Sequence, residues 1–157
     1  MEFEATKCPA TINVEAKIKE LVDSELDENN FMYLGKKSAQ RDELFLFGLA
    51  LGWRHSLKAD LDKPCSGGFI RTSSFSSQLT AMIDLIRFSE ANCEHPNALR
   101  DHKESYKIAE RYANAGLHMI DGEILEGGDS ETYANELIAE MDEMYARFAE
   151  QYALVSL

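Results

Sequence analysis

The sequence predicts an all-α protein, a compact single-domain bundle of about five helices that spans residues 1–157. Apolar residues recur at helical spacing through most of the chain, and short polar turns separate these stretches. The only extended candidate is a short apolar run near 31–35, which is left open as a brief strand. A chain of this length has the size of one domain and buries a real core.

The first two helices are predicted from their apolar patterns. Val14, Ile18 and Leu21 follow Asn13, a candidate N-cap, and indicate a helix that ends near residue 26. Residues 41–57 are apolar on all sides, which is typical of a central, buried helix. Within it Gly48 and Gly52 lie four apart, and we interpret them as a site of close helix packing rather than a membrane dimer motif.

Three further helices follow a polar connection over 60–77. One ends near residue 91, the next begins near 97, and the last begins at 129 or 130. The last helix carries an apolar stripe, and its acids fall outside that stripe. The stripe predicts a core face, with a homodimer contact as the alternative, and consists of Leu137, Met141, Met144, Phe148 and Tyr152.

Charge is unevenly distributed along this acidic chain, whose formal net charge is -12. Residues 121–157 hold ten acids and one base, whereas residues 36–71 hold seven bases and four acids. The overall excess of acid opposes non-specific binding to nucleic acid or to anionic membranes. We therefore expect nucleic-acid binding to be weak and confined to the basic segment.

The cysteines and histidines give little support to a metal or catalytic site. Cys8, Cys65 and Cys93 form no CxxC pair, which favours reduced thiols and a cytoplasmic location. Cys93, His95 and His102 lack the spacing that preorganises zinc ligands, although the sequence leaves metal binding by them open. No signal peptide or membrane span is indicated, and we expect no cofactor and no enzymatic activity.

A phosphate-contact surface is better motivated by the segment before the third helix. Cations, hydroxyls and glycines stand together there, as they do in loops that hold anions, although no Walker pattern is present. A well-capped surface loop is the alternative interpretation. The candidate residues for contact with nucleic acid or a partner are Arg54, Lys58, Lys63, Arg71 and Ser73.

Three stretches, RDELFLFGLALGWRHSLKADL, GFIRTSS and IAERYANAGLHMI, carry a resemblance to a known group of proteins. Over residues 41–120 the chain resembles small helical accessory proteins associated with DNA phosphorothioation (sulfur-modification) and restriction clusters. The resemblance implies a role in a DNA-modification or anti-phage defence complex. It supplies no catalytic residues.

Two functional hypotheses follow. The first is a non-enzymatic accessory or adaptor protein of a prokaryotic DNA-modification system that acts through protein partners and binds through the basic segment. The second is an acidic interaction or inhibitor protein that meets a basic partner through its last helix. Its predicted acidic partner surface consists of Glu136, Glu140 and Glu143.

Overall fold

A computed structural model describes residues 7–23, 40–91, 100–125 and 130–155, so the extended candidate near 31–35 lies outside the described residues. The mostly helical prediction is confirmed, since the described residues form five α-helices and one two-stranded sheet. Contacts group the chain into two units, 1–121 and 122–157, and a single domain stays a prediction. The elements are β1 (Thr11–Ile12), α1 (Ala16–Leu21), α2 (Arg41–Arg54), β2 (Ile70–Arg71), a 3-10 turn (Thr72–Ser74), α3 (Ser77–Glu90), α4 (His102–Leu125) and α5 (Ser130–Val155).

The small antiparallel sheet was not predicted from the sequence. Thr11 pairs with Arg71 and Ile12 with Ile70, and backbone bonds continue on both sides of these pairs. Strands of two residues are too short to show alternation, so the pattern could not reveal them. Because the chain is extended there, α1 begins at Ala16, and the expected N-cap at Asn13 was wrong.

Helix α2 packs against both α3 and α4, which confirms its predicted central position. The predicted close packing at Gly48 and Gly52 is also confirmed: a Cβ on Gly48 would lie 3.0 Å from the carbonyl oxygen of Ala113. On the α4 side Gly116 lies directly against the α2 backbone. The two helices therefore approach backbone to backbone, which only glycine permits at these positions.

Local hydrogen bonds and one backbone conformation set the end of α2 and the start of α3. Helix α2 ends at Arg54 because Ser56 adopts a positive φ of 54° and the Leu57 N–H donates to the Gly52 carbonyl. Helix α3 begins after Ser76, whose hydroxyl accepts a hydrogen bond from the Leu79 N–H.

None of the helices in the described part of the chain combines the length and apolar character that crossing a bilayer requires.

The core of the first unit forms where the N-terminal segment, α1, α2, α3 and α4 bring their apolar faces together. Its largest side chains are almost completely buried, with exposed fractions of at most 1%. They are Ile12, Val14, Ile18, Phe45, Leu49, Leu79, Ile83, Ile86, Leu117 and Ile120.

Candidate functional site

The five residues predicted for nucleic-acid or partner contact are exposed but fall in different surroundings. Arg54 is the last residue of α2, and Ser73 lies in the 3-10 turn. Lys63 and Arg71 belong to the two stretches that pair with the N-terminal segment. Their role in contact stays a prediction, but the position of Lys58 gives that residue a structural task as well.

Lys58 joins the end of α3 to the middle of α4. Its Nζ lies 2.5 Å from Glu90 Oε2 and 4.9 Å from the centre of the Tyr112 ring, while the Tyr112 hydroxyl donates to Glu90 Oε1 at 2.5 Å. The hydrogen bond with Glu90 raises the pKa of Lys58, and the same bond lowers the pKa of Glu90. Both charges are therefore stabilised at neutral pH.

We predict that Glu90→Gln lowers the free energy of unfolding by about 1 to 2 kcal/mol at pH 7. Because the pKa of Glu90 is lowered on folding, its contribution is present above the ordinary value of 4.5 and is lost as pH falls through the folded value. Urea unfolding from neutral to acidic pH should show that the difference in unfolding free energy between the variant and wild type shrinks below pH 4.5. Glu150→Gln on exposed α5 is the control, and an equal effect there would contradict the assignment.

A cavity of about 470 Å³ opens in the first unit between α4 and two extended stretches. The α4 side contributes cationic, aromatic and acidic side chains, and the N-terminal segment and the connection after α2 form the other walls. Burial raises the pKa of the Tyr106 phenol to about 12, so this group is neutral at physiological pH. The α4 residues that line the cavity are Lys103, Tyr106, Lys107, Glu110 and Arg111.

The two carboxylates of the cavity are held by neighbouring groups. Asp60 Oδ1 lies 2.6 Å from Arg111 Nε, and the two groups form an ion pair. Glu110 Oε1 accepts a hydrogen bond from the Asn13 N–H at 2.7 Å. Burial raises the pKa of Glu110 in spite of that bond. The Glu110 carboxylate is thus less costly to protonate than an exposed one.

Sequence reasoning missed a polar row on the face of α4 that receives the N-terminal segment. We call this row the polar seam. Its members stand four, four and three residues apart, which is the spacing of side chains on one face of a helix and was visible in the sequence. Its members were hidden because the apolar residues beside them dominated the pattern. The polar seam consists of Glu110, Asn114, His118 and Asp121.

The polar seam fixes the path of the chain from β1 into α1. The Glu15 N–H donates to Asn114 Oδ1 at 3.2 Å, and the Glu15 carboxylate lies 2.9 Å from His118 Nε2. Lys17 Nζ lies 3.2 Å from the Asp121 carboxylate, which is only 8% exposed. The wall of the cavity is therefore positioned by polar contacts to α4.

The second unit presents two different faces of α5. On a helical wheel the predicted acidic surface of Glu136, Glu140 and Glu143 lies roughly opposite the apolar residues. Glu136 is exposed, and Glu143 is exposed and paired with Arg147. This arrangement separates an acidic face from an apolar face on one helix.

The apolar face of α5 is largely open to solvent. Ile138 is 57% exposed, Met141 64% and Tyr145 78%, whereas Leu137 and Met144 are half-buried. Met141 belongs to the stripe for which the sequence favoured a core position, and the structure does not bury it. Side chains of this size rarely lie exposed together without a contact surface.

The described residues contain no group of three or more potential metal ligands. Cys93 and His95 lie outside the described residues, so metal binding with His102 stays an open question. Among the described thiols, Cys8 is exposed with its Sγ 3.7 Å from the Tyr106 hydroxyl, and Cys65 is buried.

The fold and these surfaces define a mostly helical chain with a mixed-charge cavity and an acidic face on α5. The chain belongs to the family described as DNA sulphur modification system-associated protein 4, whose profile matches residues 16–154. The resemblance to accessory proteins of DNA phosphorothioation is thereby confirmed, and the match extends from α1 into the end of α5. No curated protein and no solved structure matches the chain.

Proposed function

We propose that the chain is a non-enzymatic adaptor of a prokaryotic DNA sulphur modification system and of its anti-phage defence, and that it binds another protein of that system through the apolar face of α5. The observation that carries the proposal is the open row of Ile138, Met141 and Tyr145. These residues lie three and four positions apart, which is the anchor spacing of a helix that packs into a groove or against another helix.

Charge favours a different protein over a second copy of this chain as the partner. Helix α5 contains six acids and one base, so two copies would bring two strongly negative helices together. On the helical wheel the exposed Asp142 borders the apolar row, so a second copy would place like charges at the edge of the contact, where they repel each other. The complementary partner has an apolar groove or helix face with basic residues along its edges.

We predict that a photo-crosslinking amino acid at Met141, introduced in the native host, captures a subunit of the sulphur modification system. The same amino acid at Arg147, on the acidic side of α5, should capture it far less, because that side faces away from the apolar contact. Mass spectrometry of the crosslinked bands identifies the partner. Capture from Arg147 alone would overturn this proposal and favour the acidic interaction protein.

A further inference from the structure

Exposed cations from distant parts of the sequence line the cavity on α4 or adjoin residues that line it. Lys103 and Lys107 line it from the first turns of α4. Lys63 precedes Pro64, which lines the opposite wall, and Arg71 pairs across the sheet with Thr11, a third wall residue. All four of these cations are exposed. In a chain with a net charge of -12, these cations are groups through which an anion could be attracted.

The two carboxylates that line the cavity oppose this attraction less than their number suggests. Asp60 forms an ion pair with Arg111, so these two charges offset each other. Glu110 engages the Asn13 backbone and is mostly withdrawn from solvent. The lysines stand at the exposed rim, where an anion arrives first.

The aromatic group of the cavity is held in place by its neighbours. The Tyr106 ring packs against Phe75 at 5.7 Å between centroids with an interplanar angle of 59°. Lys103 and Lys107 lie four residues apart on α4 with Tyr106 beside them, and all three side chains line the cavity. Aromatic rings combined with cations are the means by which proteins hold nucleotide units of a single strand.

From this geometry we infer that the cavity binds a nucleotide through its phosphate, with the base against Tyr106. Lys103 and Lys107 contact the phosphate oxygens, and Lys63 and Arg71 extend the contact to the phosphates on either side. The volume of about 470 Å³ lies in the range of small-molecule sites. A free nucleotide and a nucleotide within a DNA strand present the same chemistry. The inference does not depend on partner binding through α5.

The test is fluorescence anisotropy of the purified full chain with a labelled single-stranded DNA of about twelve nucleotides. The cavity variant is Lys103→Gln combined with Lys107→Gln. The matched control, Lys19→Gln combined with Arg147→Gln, removes the same charge from α1 and α5. Thermal unfolding of each variant verifies that the fold is retained.

We expect the cavity variant to bind at least about tenfold more weakly than wild type, with the control close to wild type. Between about 50 and 200 mM salt, the slope of log affinity against log salt concentration should be shallower for the cavity variant than for wild type. The difference should correspond to about one to two phosphate contacts. Displacement of the strand by a nucleoside monophosphate identifies a site for single nucleotides, whereas displacement only by strands identifies the DNA backbone. Competitor strands with one phosphorothioate linkage measure any preference for sulphur.

Two results would overturn the inference. One is equal affinity of the cavity variant and the control variant, which would show that net charge alone accounts for the binding. The other is the absence of binding to both the strand and the mononucleotide at low salt. Neither result bears on the crosslinking from Met141, so the two proposals fail separately.

Discussion

Gly116→Ala is expected to lower the free energy of unfolding by about 2 to 4 kcal/mol. A Cβ at this position would lie 2.7 Å from the Gly48 carbonyl carbon and 2.9 Å from the Gly52 nitrogen, which are both backbone atoms. A side chain can change its rotamer, but a backbone can yield only if the two helices separate. The gain in helix propensity, about 1 kcal/mol, offsets only part of the cost.

Urea unfolding followed by circular dichroism measures this effect, and Gly122→Ala on the same helix provides the control. A Cβ on Gly122 meets no atom of the described residues within 4 Å, so the substitution is expected to be neutral or to stabilise the protein by up to about 1 kcal/mol. Equal stability of the two variants would show that α2 and α4 do not approach as described.

Asn114→Asp is expected to cost about 3 kcal/mol of stability at neutral pH. Asn114 is fully buried, and its Oδ1 accepts the Glu15 N–H, while its Nδ2 has no partner among the described residues. The substitution changes almost no volume but places a negative charge between Glu110 and Asp121 of the polar seam. Burial and like charge both disfavour ionisation of the new carboxyl.

The stability of Asn114→Asp should fall as pH rises. The pKa of the introduced carboxyl is raised on folding, so the protein keeps its stability at low pH and loses it as pH rises through the folded pKa. Unfolding midpoints at about pH 5 and pH 7.5 should therefore differ more for the variant than for wild type. Asn135→Asp on exposed α5 is the matched control. A variant as stable as that control at neutral pH would contradict the buried polar seam.

Local patterns predicted the helices because their apolar residues repeat within each segment. Gly48 and Gly52 even revealed the packing face of α2, although nothing in the pattern identified Gly116 as their counterpart. The match between two distant segments depends on tertiary structure, which a single periodicity does not encode. The paired strands at Thr11 and Ile70 were not predicted, because each is too short to show an alternation of apolar and polar residues.

The candidate sites were predicted unevenly. Lys63 and Arg71 were identified from a segment rich in cations and hydroxyls, but Lys103 and Lys107 were not, because their partners in the cavity lie some 40 to 100 residues away. The apolar stripe of α5 was recognised, whereas its exposure depends on what packs against it. Burial of an amphipathic face follows from the whole fold, so the pattern alone did not decide between a core and a contact.

The most direct test of the adaptor role is purification of the tagged chain from its native host in the presence of nuclease, with quantitative mass spectrometry of the bound proteins. Wild type should retain subunits of the sulphur modification system, and Ile138→Ser, Met141→Ser and Tyr145→Ser together should reduce them at least about tenfold. The matched triple variant Glu136→Gln, Glu140→Gln and Glu143→Gln should retain them. Recovery of no such subunit with wild type, or equal recovery with the apolar variant, would contradict the account.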